Sequence, residues 1–285
     1  MKILVTGAKG QLGMDLVPEL IRRGHEVTGA DLEEMDITDA SAVERFVMDC
    51  RPDAVIHCAA WTAVDAAEDQ PEKVRLVNAV GTENIAAVCG SLDIPMMYFS
   101  TDYVFSGDGE RPWKPDDEPC PLSVYGRTKY EGELAVRKHV PVKHFILRTQ
   151  WVYGAHGKNF VKTMLRLAED HRQLRVVNDQ IGSPTYTADM ASLAADMIVT
   201  DRYGIYHFCN EGYCSWYDFA VQIFREAGRD VEVIPVSSEE YPAKARRPLN
   251  SRMDTSKLKE QGFSLMPSWQ DALHRDLIEL GVIEA

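Results

Sequence analysis

Five short runs, at residues 2–7, 25–31, 54–60, 96–102 and 144–152, read as strands, and most of them are almost continuously apolar. A strand with one wet face alternates apolar and polar residues. Runs without that alternation are strands covered on both faces, as in a parallel sheet. Between them lie amphipathic stretches at 42–50 and 74–92, and a helix is predicted over 11–23. Strand–helix alternation of this kind builds right-handed crossovers and an α/β fold with an open, doubly wound parallel sheet. Pro18 falls inside the first helix, past the turn where proline is harmless. Because Leu12, Leu16 and Leu20 still form one apolar stripe, a local kink is expected there and not loss of the helix.

After about residue 151 the alternation loosens. Residues 106–123 and 235–256 are rich in Gly, Pro, Ser and charge and read as surface loops, the second with a basic knot, KARR, in its middle. Neither an internal repeat nor a detachable linker is visible, which favours interleaved lobes over separate beads. Acidic residues outnumber basic ones by 44 to 31, and the net charge of −13 repels nucleic acid and anionic membrane surfaces. No run approaches the roughly 18 apolar residues of a membrane span. The first residues enter a strand directly, with no signal-peptide pattern, so a cytoplasmic protein is expected. Cysteines 50, 58, 89, 120, 209 and 214 form no CxxC pair. In a reducing compartment they read as small buried hydrophobes, with no metal assigned.

Gly7, Gly10 and Gly13 stand where the first strand meets the first helix. Glycine suits a turn with unusual dihedrals and a backbone that must approach a pyrophosphate closely. The helix N-terminus adds free N–H groups and a positive dipole end. A plain tight turn would look similar in isolation, but at the first strand–helix junction of such a chain the motif indicates dinucleotide binding. The spacing GxxGxxG resembles the short-chain dehydrogenase/reductase superfamily. Asp31, ending the second strand, suits the adenosine ribose hydroxyls and would repel a 2′-phosphate, which favours NADH over NADPH. Ala59 and Ala60 follow the third strand, where small residues let a flat cofactor lie against backbone.

Tyr125 and Lys129 are four residues apart and share a helix face. A phenol is a weak acid near neutral pH until a cation stabilises its anion. Lys129 is expected to supply that charge to Tyr125 together with the positively charged nicotinamide of the oxidised complex, its ammonium also suiting ribose hydroxyls. Tyr125 would then protonate a carbonyl oxygen as hydride reaches carbon, with Thr101 supplying a second hydrogen bond to that oxygen. A YxxxK pair alone is common. Behind a glycine turn and a hydroxyl at the fourth strand's end, it specifies carbonyl reduction.

Several longer stretches sharpen the resemblance: TGAKGQLG, CAAWTAVDAAED (58–69), VNAVGTENIA (77–86), STDYVFSG (100–107), YGRTK (125–129), RTQWVYG (148–154), NFV (159–161), DQIGSPT (179–185) and RRPLNSRMD (246–254). From residue 2 to about 275 the chain resembles the dTDP-4-dehydrorhamnose reductase family, in the extended branch of that superfamily. The resemblance implies a Rossmann-like sheet with a smaller C-terminal substrate-binding lobe. On that division residues 1–150, plus about 180–205, hold the dinucleotide, and about 151–179 and 206–285 form the lobe. It further implies NAD(P)H-dependent reduction of a dTDP-4-keto-deoxysugar, the dTDP-sugar being the partner, in a monomer or homodimer.

Thr101, Tyr125 and Lys129 are the catalytic group so implied. Gly10, Gln11, Leu12, Asp31, Asp36, Ile37, Ala60, Trp61 and Thr62 would touch the cofactor, and Thr101, Asp102 and Trp151 the sugar nucleotide. Asp36 would meet the adenine amine, with Ile37 as an apolar lid. From their own chemistry Arg247 suits a pyrophosphate and Asn159 a diphosphate or base edge. Cys58 stands where relatives often carry Asn. Some members bind Mg²⁺ through acidic residues at a dimer contact, for which Asp15 and Asp189 are possible matches, left unassigned. Two other readings share the scaffold: a sugar-nucleotide epimerase or dehydratase that retains its NAD, and a non-catalytic binding protein resembling a methionine adenosyltransferase regulatory subunit.

Overall fold

The computed structural model describes residues 1–241 and 243–284. Six strands form the central sheet: β1 (Lys2–Thr6), β2 (Glu26–Ala30), β3 (Ala54–His57), β4 (Met96–Thr101), β5 (His144–Thr149) and β6 (Gly204–His207). Their order is β6-β5-β4-β3-β1-β2, and every neighbouring pair is parallel. The chain steps from β1 to one side and then, after β2, to the other. That reversal opens a crevice at the carboxyl ends of β1 and β3.

Alternate residues on each strand face opposite layers. Ile3, Val5, Ile56, Met97 and Leu147 pack with Leu16 and Leu20 of helix Gln11–Arg22 and with Met190–Ile198 of helix Thr187–Ile198. Leu4, Val55, Tyr98 and Ile146 pack against Val43, Ile85 and Val136 from helices Ala40–Cys50, Thr82–Ser91 and Val124–His139. A one-residue slip would exchange the two sets, so register is held from both sides. Helix Gln11–Arg22 runs through Pro18 unbroken, held by wholly buried Leu16 and Leu20.

Four expectations change in detail. The run 144–152 is not one strand: β5 stops at Thr149, Trp151 takes φ +48°, and a short strand Val152–Tyr153 starts anew beside Thr185–Tyr186. The stretch 74–92 contains a π-helical turn, Leu76–Gly81, between Pro71–Arg75 and Thr82–Ser91. Residues 206 and 207, read as part of the lobe, complete β6, and Leu258, Phe263 and Met266 pack into the same sheet-facing core. The two presumed surface loops zip together. Trp113 N–H donates to the Arg252 carbonyl at 2.8 Å, Asn250 N–H to that of Gly107 at 2.8 Å, and Trp113 stacks on Phe105. Pairing satisfies the backbone groups that would otherwise be stranded, which lets Asn250 and Ser251 be buried at 2 % exposure.

A second core lies beyond the sheet, where Val161, Phe219, Ile223, Trp269, Leu273 and Leu277 meet from helices Phe160–Asp170, Trp216–Glu226 and Trp269–Glu279. Asp276 is enclosed there at 0 % exposure, and its carboxyl oxygens have no hydrogen-bond partner among the described residues. Burial, then the neighbouring charge of Glu279, raises its pKa to about 7; Lys162 opposes this and Asp15 adds to it. A raised carboxyl pKa means the native state keeps a proton the unfolded chain has lost. Stability therefore falls as pH climbs from the unfolded value toward 7. Asp276→Asn is expected to raise the melting temperature by several degrees at about pH 8 and by much less at about pH 5. Equal shifts at both pH values in thermal melts would show that Asp276 does not ionise in this way.

Candidate active site

A cleft of 840 Å³ opens at the carboxyl ends of β1, β3, β4 and β5. Gly7 leaves β1 with φ +65°, and a Cβ there would lie 2.7 Å from the Ala59 backbone nitrogen. A Cβ on Gly13 would strike the Gly7 carbonyl, so the first helical turn lies directly against the loop. Gly10 begins helix Gln11–Arg22 without a side-chain cap, and Gly10, Gln11 and Leu12 line the cleft. This glycine-lined ledge with free helical N–H groups fits a dinucleotide pyrophosphate.

Further along the rim, Asp31 accepts from Lys9 N–H at 3.1 Å and Leu32 N–H at 2.9 Å. Lys9 itself is paired with Glu33 and Glu34 at 2.8 and 2.9 Å. The pocket around Asp31 is thus acidic. Asp36 accepts from Thr38 N–H at 2.9 Å, and Ile37 lies where a Cβ on Gly81 would collide with it. Ala59, Ala60 and Thr62 line the opposite wall.

A buried chain ties these loops together. Thr82 gives its hydroxyl proton to the Asn78 carbonyl at 2.7 Å, so it must accept from His57 Nε2 at 3.1 Å. His57 Nδ1 then accepts from Thr6 Oγ1 at 2.6 Å. Burial drives His57 to about 3, with the Lys129 charge adding to the effect, so the imidazole is neutral and, from the end of β3, ties Thr6 of β1 to Thr82 of helix Thr82–Ser91. Asn78, in the π-turn, brackets Trp61 by accepting from its N–H at 2.7 Å and donating to its carbonyl at 3.1 Å.

Tyr125 and Lys129 project from helix Val124–His139 into the middle of the cleft beside Thr101. Lys129 is 3 % exposed, with Nζ 4.2 Å from the centre of the Tyr98 ring. Burial lowers its pKa to about 7, against the opposing pull of Glu133 and Cys58. Sequence reasoning anticipates a phenol acidified by this lysine. In the cleft as described, burial pushes Tyr125 above its ordinary value; the adjacent Thr101 hydroxyl eases the rise, and Asp102 and Tyr103 add to it. The ammonium leans on Tyr98 and faces Glu133.

Thr101 is engaged with its chain neighbour. Its hydroxyl donates to Asp102 Oδ1 at 2.9 Å, and Ser251 donates to Asp102 Oδ2 at 2.5 Å. Asp102 is 2 % exposed and burial raises it to about 6, against those two hydrogen bonds. Beneath this group, fully enclosed Glu133 accepts from Ser100 Oγ at 2.5 Å and from Arg148 at 2.9 and 2.7 Å.

Three anticipated contacts lie outside the cleft lining. Trp61 packs behind Tyr125 with Val74 and Val124. Asn159 caps helix Phe160–Asp170 and donates to Gln11 Oε1 at 3.1 Å and to the Gly154 carbonyl at 2.7 Å. Arg247 pairs with Asp65 at 2.7 Å and approaches the cleft only through the Tyr103 hydroxyl at 3.4 Å. Asp189 is clamped by Arg275 at 2.8 Å, and Asp15 lies 3.4 Å from His156. No group of three potential metal ligands occurs among the described residues.

Trp151 does line the cleft, stacked at 3.7 Å on Trp216, which also lines it. Trp216, Tyr103 and Ser251 carry no sequence signal of their own. Only STDYVF marks the neighbourhood of Tyr103, and RRPLNSRMD that of Ser251.

Residues 1–281 match the family model described as the RmlD substrate binding domain. A dTDP-4-dehydrorhamnose reductase of Streptomyces griseus is 43% identical over 95% of this chain and 91% of its own length. The chain belongs to the dTDP-4-dehydrorhamnose reductase family. A spore coat polysaccharide biosynthesis protein of Bacillus subtilis is 41% identical, covering 98% of this chain and 97% of its own. The crystal structure of the Bacillus anthracis family member in complex with NADP superposes with a TM-score of 0.95 at 43% identity, over 98% of this chain and 99% of that one. The narrow stretches that carry the family resemblance converge: STDYVF at the end of β4, RTQWVYG at the end of β5, and DQIGSPT, whose Gly182 touches Gln150 and Trp151. No helix among the described residues is long and apolar enough to cross a membrane.

Proposed function

We propose that this protein reduces the 4-keto group of dTDP-4-dehydro-β-L-rhamnose to give dTDP-L-rhamnose, consuming NAD(P)H. The observation that carries this reading is the convergence of Tyr125, Lys129 and Thr101 on the cleft that begins at the glycine ledge. Gly7, Gly10, Gln11, Leu12 and Gly13 would hold the pyrophosphate, Asp31 the adenosine ribose, and Asp36 with Ile37 the adenine. The bound nicotinamide supplies the hydride. Tyr125, kept protonated by burial, gives its proton to the carbonyl oxygen. Lys129 offsets the charge left on the phenol, and Thr101 steadies the same oxygen once its proton turns from Asp102. The lobe residues Trp151 and Trp216 would wall the sugar. Six unpaired cysteines and dependence on reduced nicotinamide fit a reaction in the cytosol.

Loss of near-ultraviolet absorbance of NADH or NADPH on adding the 4-keto sugar nucleotide tests the proposal. Protein purified with stoichiometric NAD, and returning it unchanged after turnover, would overturn it in favour of an epimerase or dehydratase. The acidic rim also sets an expectation for cofactor choice. Asp31→Asn should raise the ratio of kcat/KM for NADPH over NADH by about tenfold, since it removes a carboxylate from the 2′-phosphate position. An unchanged ratio would mean the adenosine ribose lies elsewhere.

A further inference from the structure

Gln150 follows β5 directly, lines the cleft, and is 2 % exposed. Neither its amide nitrogen nor its amide oxygen has a hydrogen-bond partner among the described residues. A buried amide left unpaired at both ends is costly, and such groups in folded proteins call for an explanation. The neighbouring Cys209 thiol is a weak partner and does not satisfy it. The surroundings are nonetheless shaped around this side chain. A Cβ on Gly182 would collide with Gln150 Oε1 and the Trp151 ring, so the glycine of DQIGSPT leaves room for the amide.

Position narrows the ligand. Thr149 pairs across the sheet with Thr101, so Gln150 is one residue beyond the rung that carries the reacting hydroxyl. β5 is three strands from β1 and its glycine ledge, at about 4.8 Å per strand, which separates Gln150 from the pyrophosphate end. Trp151, which follows it and stacks on Trp216 in the cleft wall, places it on the side of the cleft formed with the second core. A sugar hydroxyl, itself both donor and acceptor, can pair with either end of this neutral amide, whereas a phosphate, being an acceptor only, would leave the amide oxygen unpaired.

We infer that Gln150 is a specificity-determining residue that hydrogen-bonds a ring hydroxyl of the activated sugar beside the reacting carbonyl. The inference rests on the proposed function for the identity of the sugar, but not for the existence of the contact. A site built around a substrate hydroxyl discriminates strongly, because its polar groups stay unpaired with any ligand that lacks it.

The test compares Gln150→Met, and Gln150→Leu as a second apolar replacement, with the parent protein. Affinity for dTDP-L-rhamnose is measured by calorimetry in the presence of NADP, alongside NADP affinity, melting temperature and kcat/KM for the 4-keto sugar nucleotide. The expected result is a roughly tenfold to hundredfold loss in sugar-nucleotide affinity and in kcat/KM, NADP affinity within about twofold of the parent, and a melting temperature no lower than the parent's. Parent-like affinity for the sugar nucleotide in a folded variant would overturn the inference. So would a loss confined to NADP binding, which would assign the amide to the nicotinamide carboxamide. A parent that binds dTDP-L-rhamnose through Gln150 but oxidises no NAD(P)H would sink the proposed reaction and leave this contact standing.

Discussion

Tyr125→Phe is expected to lower kcat for carbonyl reduction by about a thousandfold while leaving NAD(P)H affinity within about twofold, because only the proton donor is removed. The ring itself is held by packing that does not involve the hydroxyl. It lies edge-on to Tyr103 at 5.5 Å and against the small cluster of Ala67, Val74 and Val124. Phenylalanine keeps those contacts, so thermal stability should change little. Removing the hydroxyl also takes away the neighbour of Thr101, whose own proton is directed at Asp102. The variant therefore loses the donor without a ready substitute. Single-turnover measurement of nicotinamide oxidation, combined with cofactor titration, separates the chemical step from binding. Parent-like turnover would remove Tyr125 from the reaction.

Glu133→Leu is expected to destabilise the protein by about 3–5 kcal/mol, because it leaves the buried Arg148 guanidinium without its countercharge. Glu133 and Arg148 are 0 % and 1 % exposed, and they join the Tyr125 helix to β5 through two hydrogen bonds, with Ser100 of β4 as a third member. Arg148 also donates to the Pro115 carbonyl at 3.0 Å and lies over Phe105 at 5.0 Å, so the pair anchors the 106–123 loop as well. At roughly 2–4 °C per kcal/mol for a chain of this order, the melting temperature should drop by about 10 °C. Glu133→Leu combined with Arg148→Met should recover much of that loss, since an apolar pair of similar volume avoids stranding a charge. A double variant no more stable than Glu133→Leu alone would show that the pair stabilises by packing and not by mutual charge compensation.

The features legible in the sequence are those with short-range causes. Two-faced apolar runs announced a parallel sheet, glycines 7, 10 and 13 announced the ledge, and the four-residue interval between Tyr125 and Lys129 put both on one side of a helix. The interval did not reveal what the lysine would face. Tyr98 and Glu133 draw its ammonium, and enclosure raises the phenol above its ordinary value. Arg247 was read as a phosphate partner from its chemistry, yet Asp65, 182 residues away in sequence, takes its guanidinium. The break after Thr149 went unseen because Gln150, Trp151 and Val152 continue a run that looks strand-like, while the turn there depends on Trp216 and Gly182 packing around it.

The amino-acid sequence by itself determined the layer architecture, the glycine ledge and the shared helix face of Tyr125 and Lys129, because hydrophobic period, glycine dihedrals and helical spacing act within a few residues. Only the tertiary structure decided the protonation states and the sugar side of the cleft. Burial of Tyr125, Lys129 and Asp102, and the meeting of Ser251 with Asp102 across 149 residues, arise when distant segments exclude water together. Desolvation is a property of the whole enclosure and has no local pattern in the chain.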